Sequence, residues 1–462
     1  MKISVEHPSS FRDPNGAVYC HNGSVYRQIN LLYKENYLQL INSGLYSALC
    51  KDKLIIQHEA VENRHAGPDN IYKIIKPDLI PFISYPYEWC FSQLRDSALT
   101  TLKIQKTALD FGMTLKDCSA YNIQFKDGRP IFIDTLSFER YSPGQPWVAY
   151  KQFCQHFLAP LALMGLNDAR LSQLLRVHID GIPLDLASRL LPARTYFNLS
   201  IFIHIHLHAK IQRRFAHKQL VKRNYGFGKN SFLGLIESLE AAIKKIRYGA
   251  AGTEWSDYYE DNSYSAESFQ DKVQLVDKFL EEVRPKGVYD FGANTGVFSR
   301  LAANKGVPCI SFDVDPAAVE KNYLETVKHN EANILPLLLD ITNPSPSIGW
   351  ENIERASMIE RMRTDMALAL ALVHHLAISN NIPLKKIADF FFKICDYLII
   401  EFIPKSDSQV QKLLSARNDI FSSYTKKDFE TEFLRCFSIK YSVDIKGSQR
   451  TLYLMKRNIS HG

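Results

Sequence analysis

The stretch Asp290-Phe-Gly-Ala-Asn-Thr-Gly-Val-Phe298 decides the fold of the carboxyl-terminal half of this chain. It follows the short apolar run Gly287-Val-Tyr and precedes Phe298-Ser-Arg-Leu-Ala-Ala-Asn, so it predicts a strand, a glycine turn and a helix. Because glycine has no Cβ, the backbone at such a turn can approach a nucleotide-like ligand closely. Asp313 ends a second apolar run 21 residues after Gly292, a distance that suits hydrogen bonding to ribose hydroxyls.

The charge at this turn favours a cationic ligand over a phosphorylated one. The pattern is Asp-x-Gly-x-x-x-Gly, whereas the dinucleotide fingerprint Gly-x-Gly-x-x-Gly places a pyrophosphate on a helix N-terminus. Asp290 would repel such an anion. S-adenosylmethionine carries an ammonium and a sulfonium but no phosphate, and it therefore suits the turn better than NAD. An NAD-dependent oxidoreductase remains the weaker alternative.

From this motif onward, over about residues 255 to 462, the chain resembles the class I S-adenosylmethionine-dependent methyltransferases. The resemblance implies cofactor contacts at the methionine end from Asp290, Gly292, Asn294 and Gly296, at the ribose from Asp313, and at the adenine from Asp340.

Later apolar runs are interpreted as further strands of this fold: 334–339, 366–372, 398–402, and a closing pair at 437–443 and 451–455. Stretches with helical spacing lie among them: 317–328, 384–395 and 408–418. Strands that alternate with helices predict an α/β fold, here a Rossmann-like, doubly wound and mainly parallel sheet.

Two adjacent histidines follow the predicted fourth strand in Val373-His374-His375-Leu376. This fold places substrate and catalytic groups outside the carboxyl ends of its strands. Methyl transfer requires the protein to position and desolvate the reactants and sometimes to remove a proton, which a neutral histidine can accept. His374 and His375 are therefore the candidate catalytic residues. The alternative is that one or both pack beside the cofactor or cap a helix. The family's amine-methylating Asn-Pro-Pro-Tyr signature is absent.

Other residues near the motif have more than one interpretation. Glu401 either lines the acceptor pocket or faces water at a strand end. Lys272 and Asp277 are expected on a solvated face of the helix that precedes the first strand. Four aromatic residues either cover the sulfonium by cation–π contact or pack on the sheet: Trp255, Tyr258, Tyr259 and Tyr264.

The amino-terminal half contains a second motif, Asp117-Cys-Ser-Ala-Tyr-Asn122, followed by the apolar run Pro130-Ile-Phe-Ile-Asp134. A helix is predicted over 93–111, and Lys126-Asp-Gly-Arg-Pro predicts a hairpin turn. The spacing resembles the catalytic segment of the protein-kinase and small-molecule-kinase fold. That resemblance implies Asp117 as catalytic base, and Asn122 and Asp134 as magnesium ligands beside ATP.

The motif departs from the kinase pattern in several places. No Gly-rich loop precedes it, and the segment 54–59 occupies the place of the lysine-bearing strand without the lysine. Thr135-Leu136 follows Asp134 in place of Phe-Gly. We therefore interpret this half as an α+β kinase-like accessory domain that binds a substrate, a nucleotide or the methyltransferase itself. Active phosphoryl transfer and a coincidental hairpin are the alternatives.

As a whole the chain resembles bacterial nodulation-associated methyltransferase proteins, which implies a small-molecule, sugar or lipid-linked acceptor.

We expect an accessory domain over 1–248, strand-rich to about 90 and helical afterwards, a linker over 249–266 and a methyltransferase domain over 267–462. An ATP-dependent phosphotransferase and a non-catalytic binding protein are the functional alternatives.

Length and composition set further expectations. At 462 residues the chain exceeds one ordinary core, so two or three domains are expected. The start has no apolar signal core, and no apolar run approaches the ~20 residues of a membrane span. Eight cysteines without a Cys-x-x-Cys spacing indicate reduced thiols. We therefore expect a cytoplasmic protein without a transmembrane segment.

The net charge of +7 is unevenly distributed, because no acidic residue occurs between Leu186 and Ile236. A basic block lies within that region: Lys210, Arg213, Arg214, Lys218, Lys222, Arg223 and Lys229. Such a block either attracts phosphates, nucleic acid or an anionic membrane, or forms a solvated helix face. The few aromatic residues do not support sequence-specific nucleic-acid binding. His204 and His208 would share a helix face, but no third ligand is evident and no metal site is expected.

Overall fold

The computed structural model describes residues 5–61, 70–215, 228–249, 266–415 and 418–458. The chain forms two compact units, one of residues 1–250 with 347–356 and the other of 251–346 with 357–462. Each unit has a hydrophobic core of its own.

Among the helices of the described ranges, none combines the length and the apolar character that crossing a membrane requires.

The first unit begins with a five-stranded antiparallel sheet in the order β1-β2-β3-β5-β4. Its strands are β1 Val5–Glu6, β2 Gly16–His21, β3 Ser24–Asn30, β4 His58–Val61 and β5 Ile71–Pro77. Helices α1 (Lys34–Asn42) and α2 (Leu45–Lys51) connect β3 to β4. Ile29, Tyr33 and Ile75 are fully buried between the sheet and the following chain, and they hold this part together.

Two short antiparallel pairs follow, β6 with β9 and β7 with β8. The strands are β6 Met113–Leu115, β7 Ile123–Lys126, β8 Arg129–Phe132 and β9 Phe138–Arg140. Asp127 (φ 53°) and Gly128 (φ 72°) connect β7 to β8 with positive φ at both positions, which is the geometry of a type I′ turn. The predicted hairpin is thus confirmed. The segment 54–59 is not one strand: Ile55 makes only an isolated bridge to Phe132, and β4 starts at His58.

Helices supply most of the remaining first unit. They are α3 Phe91–Asp110, α4 Tyr150–Phe153, α5 Ala159–Leu166, α6 Leu174–Val177, α7 Leu184–Leu190, α8 Leu199–Ile201, α9 His208–Phe215 and α10 Lys229–Lys245. The helix predicted over 93–111 is α3, which starts earlier because the Gln93 side chain accepts a hydrogen bond from the Cys90 N–H at 2.9 Å.

The second unit is built on a seven-stranded sheet in the order β12-β11-β10-β13-β14-β16-β15. Its strands are β10 Val288–Phe291, β11 Cys309–Asp313, β12 Ile334–Leu338, β13 Thr364–Ala369, β14 Cys395–Phe402, β15 Phe437–Asp444 and β16 Thr451–Arg457. The five strands from β12 to β14 pair in parallel, and β16 pairs antiparallel with both β14 and β15. The mixed α/β class and the closing antiparallel pair are therefore confirmed.

Helices cover this sheet and connect its parallel strands. They are α11 Ala266–Val283, α12 Val297–Asn304, α13 Pro316–His329, α14 Met358–Arg361, α15 Leu384–Ile394, α16 Ser408–Ser415 and α17 Lys426–Leu434. Every residue of β10 is buried, as expected for a parallel strand covered on both faces. The helix predicted over 384–395 ends one residue early, because Cys395 already starts β14.

The sheet order creates the place for a site. The chain adds β11 and β12 on one side of β10 and then β13 and β14 on the other, so the order in which strands are added reverses at β10 although the strands stay parallel. In open α/β sheets, ligands bind outside the carboxyl ends of the strands at such a switch point.

Candidate active site

The turn after β10 has a backbone that favours glycine. Gly292 (φ 72°) and Gly296 (φ 81°) have positive φ, and Asn294 (φ 49°) adopts the left-handed region that asparagine tolerates. A Cβ on Gly296 would lie 2.5 Å from Oδ1 of the buried Asn322 side chain. Gly296 caps α12, and the absence of a side chain there allows α12 and α13 to pack closely against each other.

Asp313 fixes the shape of this turn from the neighbouring strand. Its Oδ2 accepts a hydrogen bond from the Asn294 N–H at 2.8 Å, and its Oδ1 accepts one from the Asp315 N–H at 2.9 Å. Burial raises the pKa of Asp313 to about 6, although these backbone donors oppose the shift. Asp340, after β12, is exposed, and its Oδ1 accepts hydrogen bonds from the N–H and the hydroxyl of Thr342.

A cavity of about 410 Å³ opens at the carboxyl ends of β10, β11, β12 and β13. This volume falls within the usual range for small-molecule sites. Its wall contains five of the six predicted cofactor residues, together with one predicted catalytic residue: Asp290, Gly292, Asn294, Asp313, Asp340 and His375. Gly296 and His374 are not part of the wall.

Asp290 is buried at the base of the cavity, with 2% of its surface exposed. Its Oδ2 accepts a hydrogen bond from the Ser299 hydroxyl at 2.7 Å, and Ser311 donates to Ser299 at the same distance. Burial raises the pKa of Asp290 to about 6, while Ser299 and the ammonium of Lys272 oppose this shift. The carboxyl group is thus ionised at neutral pH and enclosed beside a lysine.

Lys272 and Glu401 correct the sequence-based interpretation. Lys272 does not lie on a solvated helix face: it is 3% exposed, lines the cavity, and its Nζ lies 2.7 Å from Oε2 of Glu401. Glu401 is completely buried, so it neither faces water nor lines the cavity. Its Oε2 also accepts a hydrogen bond from the Ala371 N–H at 2.8 Å.

Arg450 extends this buried charge network. Its Nη1 lies 3.6 Å from Glu401 Oε1, and its Nε donates to Asp407 Oδ2 at 2.7 Å. Burial lowers the pKa of Lys272, and Glu401 opposes the shift. The network thus connects α11, the end of β14 and the start of β16, and it holds a lysine against the cavity wall.

The position of Lys272 in the sequence contained a signal for its burial. Lys272, Val276, Phe279 and Val283 repeat with helical spacing, and Val276 and Phe279 belong to the core of the unit. Lys272 therefore continues the buried stripe of α11 by one turn. Asp277 is on another, partly exposed face of the helix, and its Oδ1 lies 2.8 Å from Nζ of Lys305.

The two histidines have different environments. His375 lines the cavity, and burial lowers its pKa to about 4, so its imidazole is neutral at pH 7. His374 is 1% exposed and lies behind the wall, with the two ring centroids 4.1 Å apart. Neither ring nitrogen of His374 has a hydrogen-bond partner among the described residues. Burial lowers the pKa of His374 well below its usual value. Of the two predicted catalytic residues, His375 therefore faces the cavity and His374 does not.

The predicted aromatic cover cannot be placed, because Trp255, Tyr258, Tyr259 and Tyr264 lie outside the described residues. Phe269 and Phe298 supply the aromatic wall next to Lys272, and the Phe298 ring centroid lies 4.9 Å from Lys272 Nζ.

The first unit brings together the residues of its own predicted motif. Asp117 accepts a hydrogen bond from the Ser119 N–H at 2.9 Å, and Asn122 donates to the Ser137 hydroxyl at 3.2 Å. That hydroxyl also hydrogen-bonds to Oδ2 of Asp134. Burial and the charge of Asp134 raise the pKa of Asp117.

Arg27, on β3, was not anticipated from the sequence. Its Nη2 lies 2.6 Å from Oδ1 of Asp134, which also accepts a hydrogen bond from the Leu136 N–H. The cation of Arg27 and the hydroxyl of Ser137 therefore occupy both oxygens of Asp134. Each carboxylate oxygen has two lone pairs, so a magnesium ion at Asp134 would have to compete with the Arg27 cation and these donors.

Two histidines between Leu186 and Ile236, His204 and His206, contact hydroxyl groups. His204 lies 2.8 Å from the Tyr150 hydroxyl and 2.9 Å from the Ser238 hydroxyl, and Phe202–Leu207 forms a π-helical turn. In the described part of the chain, no three histidine, cysteine or acidic side chains are grouped to hold a metal ion. All eight cysteines are free thiols. Lys218, Lys222 and Arg223 of the basic block lie outside the described residues.

The fold and the cavity define a Rossmann-like protein with a small-molecule-sized cavity at its strand ends. Over 464 aligned residues the chain is 35% identical to the nodulation protein NoeA of Rhizobium meliloti, with 97% of this chain and 95% of NoeA covered. The chain belongs to the family of this nodulation protein. No family profile matches the sequence.

Solved structures show weaker likeness. WbdD in complex with a kinase inhibitor is 15% identical, with a TM-score of 0.31, and the match covers 43% of each chain, which is less than half of WbdD. The N-methyltransferase NodS of Bradyrhizobium japonicum with S-adenosyl-L-homocysteine is 12% identical over 45% of this chain and 94% of NodS, with a TM-score of 0.33. The magnesium protoporphyrin IX methyltransferase of Synechocystis is 16% identical over 44% of this chain and 93% of its own, with a TM-score of 0.32.

Proposed function

We propose that the protein is an S-adenosylmethionine-dependent methyltransferase whose acceptor is a small molecule, a sugar or a lipid-linked compound. One observation carries the proposal: the cavity wall contains three carboxylates and a single lysine, and that lysine is already paired with Glu401. Such a wall favours a ligand with net positive charge over a pyrophosphate.

The residues of the wall fit the parts of this cofactor. The glycine turn leaves space against the backbone, and Asp290 provides a negative charge for the ammonium and sulfonium. Among the described residues that line the cavity, Lys272 is the one lysine or arginine, so we assign it to the carboxylate of the methionine moiety. We assign Asp313 to the ribose and Asp340 to the adenine amine.

The cofactor supplies an electrophilic methyl group. The protein orients it and excludes water, and the apolar part of the wall suits that role: Phe269, Phe298, Leu370, Leu372, Leu376 and Leu413. His375 is neutral and faces the cavity, and it can therefore accept a proton from a hydroxyl or amine of the acceptor. His374, behind the wall, would position the His375 ring.

Titration calorimetry with S-adenosylhomocysteine, methylthioadenosine and NAD tests the proposal. Methylthioadenosine lacks the amino-acid group, so the wild type should prefer S-adenosylhomocysteine. Lys272→Met should remove that preference and leave methylthioadenosine binding intact, with Lys272→Arg as the charge-conserving control. Asp313→Ala should weaken both ligands by roughly tenfold or more, because charge-assisted hydrogen bonds are lost. Tight NAD binding with no affinity for either adenosyl thioether would contradict the proposal.

For the first unit we propose a kinase-like accessory role in ligand binding, without phosphoryl transfer. The ion pair of Arg27 with Asp134 supports this, since the guanidinium competes with magnesium for that carboxylate. Thermal unfolding with and without magnesium and ATP provides the test. We expect no magnesium-dependent shift in the wild type. A shift that Asp134→Ala abolishes would instead favour a phosphotransferase.

The same proposal divides the chain into an accessory domain over 1–248, a linker over 249–266 and a methyltransferase domain over 267–462. The separation of two compact units near residue 250 supports this division, with the exception of 347–356, which belongs to the first unit. Within that unit, Glu354 forms two hydrogen bonds with the guanidinium of Arg12, at 2.8 and 2.9 Å.

A further inference from the structure

A group of large apolar side chains projects from the first unit between the end of α7 and the middle of α9. We call it the 190–211 patch, and its members are Leu190, Tyr196, Phe197, Leu199, Ile203 and Ile211. Phe197 is 94% exposed and Leu199 is 72% exposed. Single exposed apolar residues are ordinary, but six of them on elements that pack against one another indicate a binding surface.

The backbone beneath the patch is firmly packed. Ile201 and Ile205 are buried in the unit, and His206 hydrogen-bonds through both ring nitrogens, to the hydroxyls of Ser188 at 2.7 Å and Thr195 at 2.9 Å. The Tyr196 ring stacks on His206 with the centroids 3.9 Å apart. The apolar side chains thus project from an anchored segment, and their exposure is a property of the folded unit.

Within the stretch of chain that carries the patch, the charged residues have one sign. Arg189, Arg194 and Lys210 are exposed within the same stretch, and no acidic residue occurs from Leu186 to Ile236. Apolar side chains flanked by cations suit an anionic lipid surface. The apolar groups can be buried at the acyl boundary, and the cations can pair with the anionic headgroups. A nucleic acid would instead need stacking platforms, whereas most members of the patch are aliphatic.

We propose that the 190–211 patch docks the protein onto an anionic membrane surface. Phe197 and Leu199 enter the interface, and Arg189 and Lys210 contact the headgroups. This inference is independent of the methyltransferase proposal, since it concerns another unit and another ligand.

Co-sedimentation of the full chain with vesicles tests the proposal. The probes are vesicles of phosphatidylcholine alone and vesicles of phosphatidylcholine with phosphatidylglycerol. We expect binding to the anionic vesicles, weakened by salt. Phe197→Ser with Leu199→Ser should lower the partition coefficient by roughly tenfold or more, as the loss of two buried apolar side chains implies. Arg189→Gln with Lys210→Gln should lower it on anionic vesicles only.

Leu32→Ser is the matched control, because Leu32 is 71% exposed elsewhere on the same unit. It should leave vesicle binding unchanged, and unchanged thermal unfolding shows that each variant folds. No binding by the wild type, or equal binding by the Phe197 and Leu199 variant, would overturn the proposal. So would a wild-type dimer that this variant converts to a monomer, or charge-dependent binding to RNA in place of vesicles.

Discussion

Lys272 and Glu401, 129 positions apart in the chain, form an ion pair with 2.7 Å between Nζ and Oε2, and both side chains are buried. Removing one member of a buried pair leaves an uncompensated charge, which costs about 3–5 kcal/mol. We therefore expect Glu401→Gln to lower the free energy of unfolding by an amount of that order, measured by urea denaturation. Glu325→Gln removes an exposed partner of Lys328, where water screens the charge, and it should have a much smaller effect on the free energy of unfolding. If the two variants lowered the free energy of unfolding equally, the buried pair would contribute no more to stability than an exposed one.

The two glycines that flank α12 allow a matched test of the turn. Gly296 and Gly306 both have positive φ, but an added Cβ meets Asn322 only at Gly296 and has open space at Gly306. Gly306→Ala should cost about 1–2 kcal/mol, because the left-handed conformation disfavours a side chain. Gly296→Ala should cost more and also weaken S-adenosylhomocysteine binding. Chemical denaturation and calorimetry measure the two effects. If Gly306→Ala weakened the ligand as strongly, the turn geometry would not explain the loss.

The two histidines should respond differently to substitution by phenylalanine. His374 is buried without a hydrogen-bond partner among the described residues, so His374→Phe should leave the stability unchanged or raised. His375→Phe should reduce methyl transfer by roughly 100- to 10,000-fold, as the loss of a general base does, while cofactor affinity is kept. Thermal unfolding and single-turnover rates with an accepted substrate separate these outcomes. A large loss of rate in His374→Phe with a normal His375→Phe variant would reverse the assignment.

Cofactor affinity should depend on pH. The pKa values of Asp290 and Asp313 are raised to about 6, so both carboxyl groups gain negative charge as the pH rises from 5 to 7. The affinity for the cationic S-adenosylmethionine should rise over this range and then level off. Calorimetry across the range measures the effect, and Asp290→Asn should reduce it. Methylthioadenosine has no ammonium or sulfonium, and an equally steep profile for it would argue against charge pairing.

The same shifts affect stability with the opposite sign. A carboxyl group whose pKa is higher in the folded state than in the unfolded state binds protons more tightly when folded. Its stabilising contribution is complete below about pH 4, the usual value for aspartate, and is lost as the pH rises through 6. The ionised form of Asp290 therefore favours binding of the cationic ligand, whereas its protonated form favours folding. Such a conflict is typical of functional sites.

The sequence by itself determined the second unit in outline. Apolar strand runs, helical spacing and a glycine turn are local features, and the physical preferences behind them act within a few residues. For that reason we could predict the strands of the parallel sheet and the position of Asp290, Asp313 and Asp340 at the carboxyl ends of these strands. The hairpin at Asp127 and Gly128 in the first unit could be predicted in the same way.

Only the tertiary structure decided which charges meet. Lys272 and Glu401 are each compatible with a water-exposed position when read locally, and Arg27 gives no local indication that it reaches Asp134. The partner of each side chain is more than 100 residues away, and its identity follows from how strands and helices pack. The separation of His375 from His374 has the same origin, because neighbours in sequence point to different sides of a wall that distant segments build.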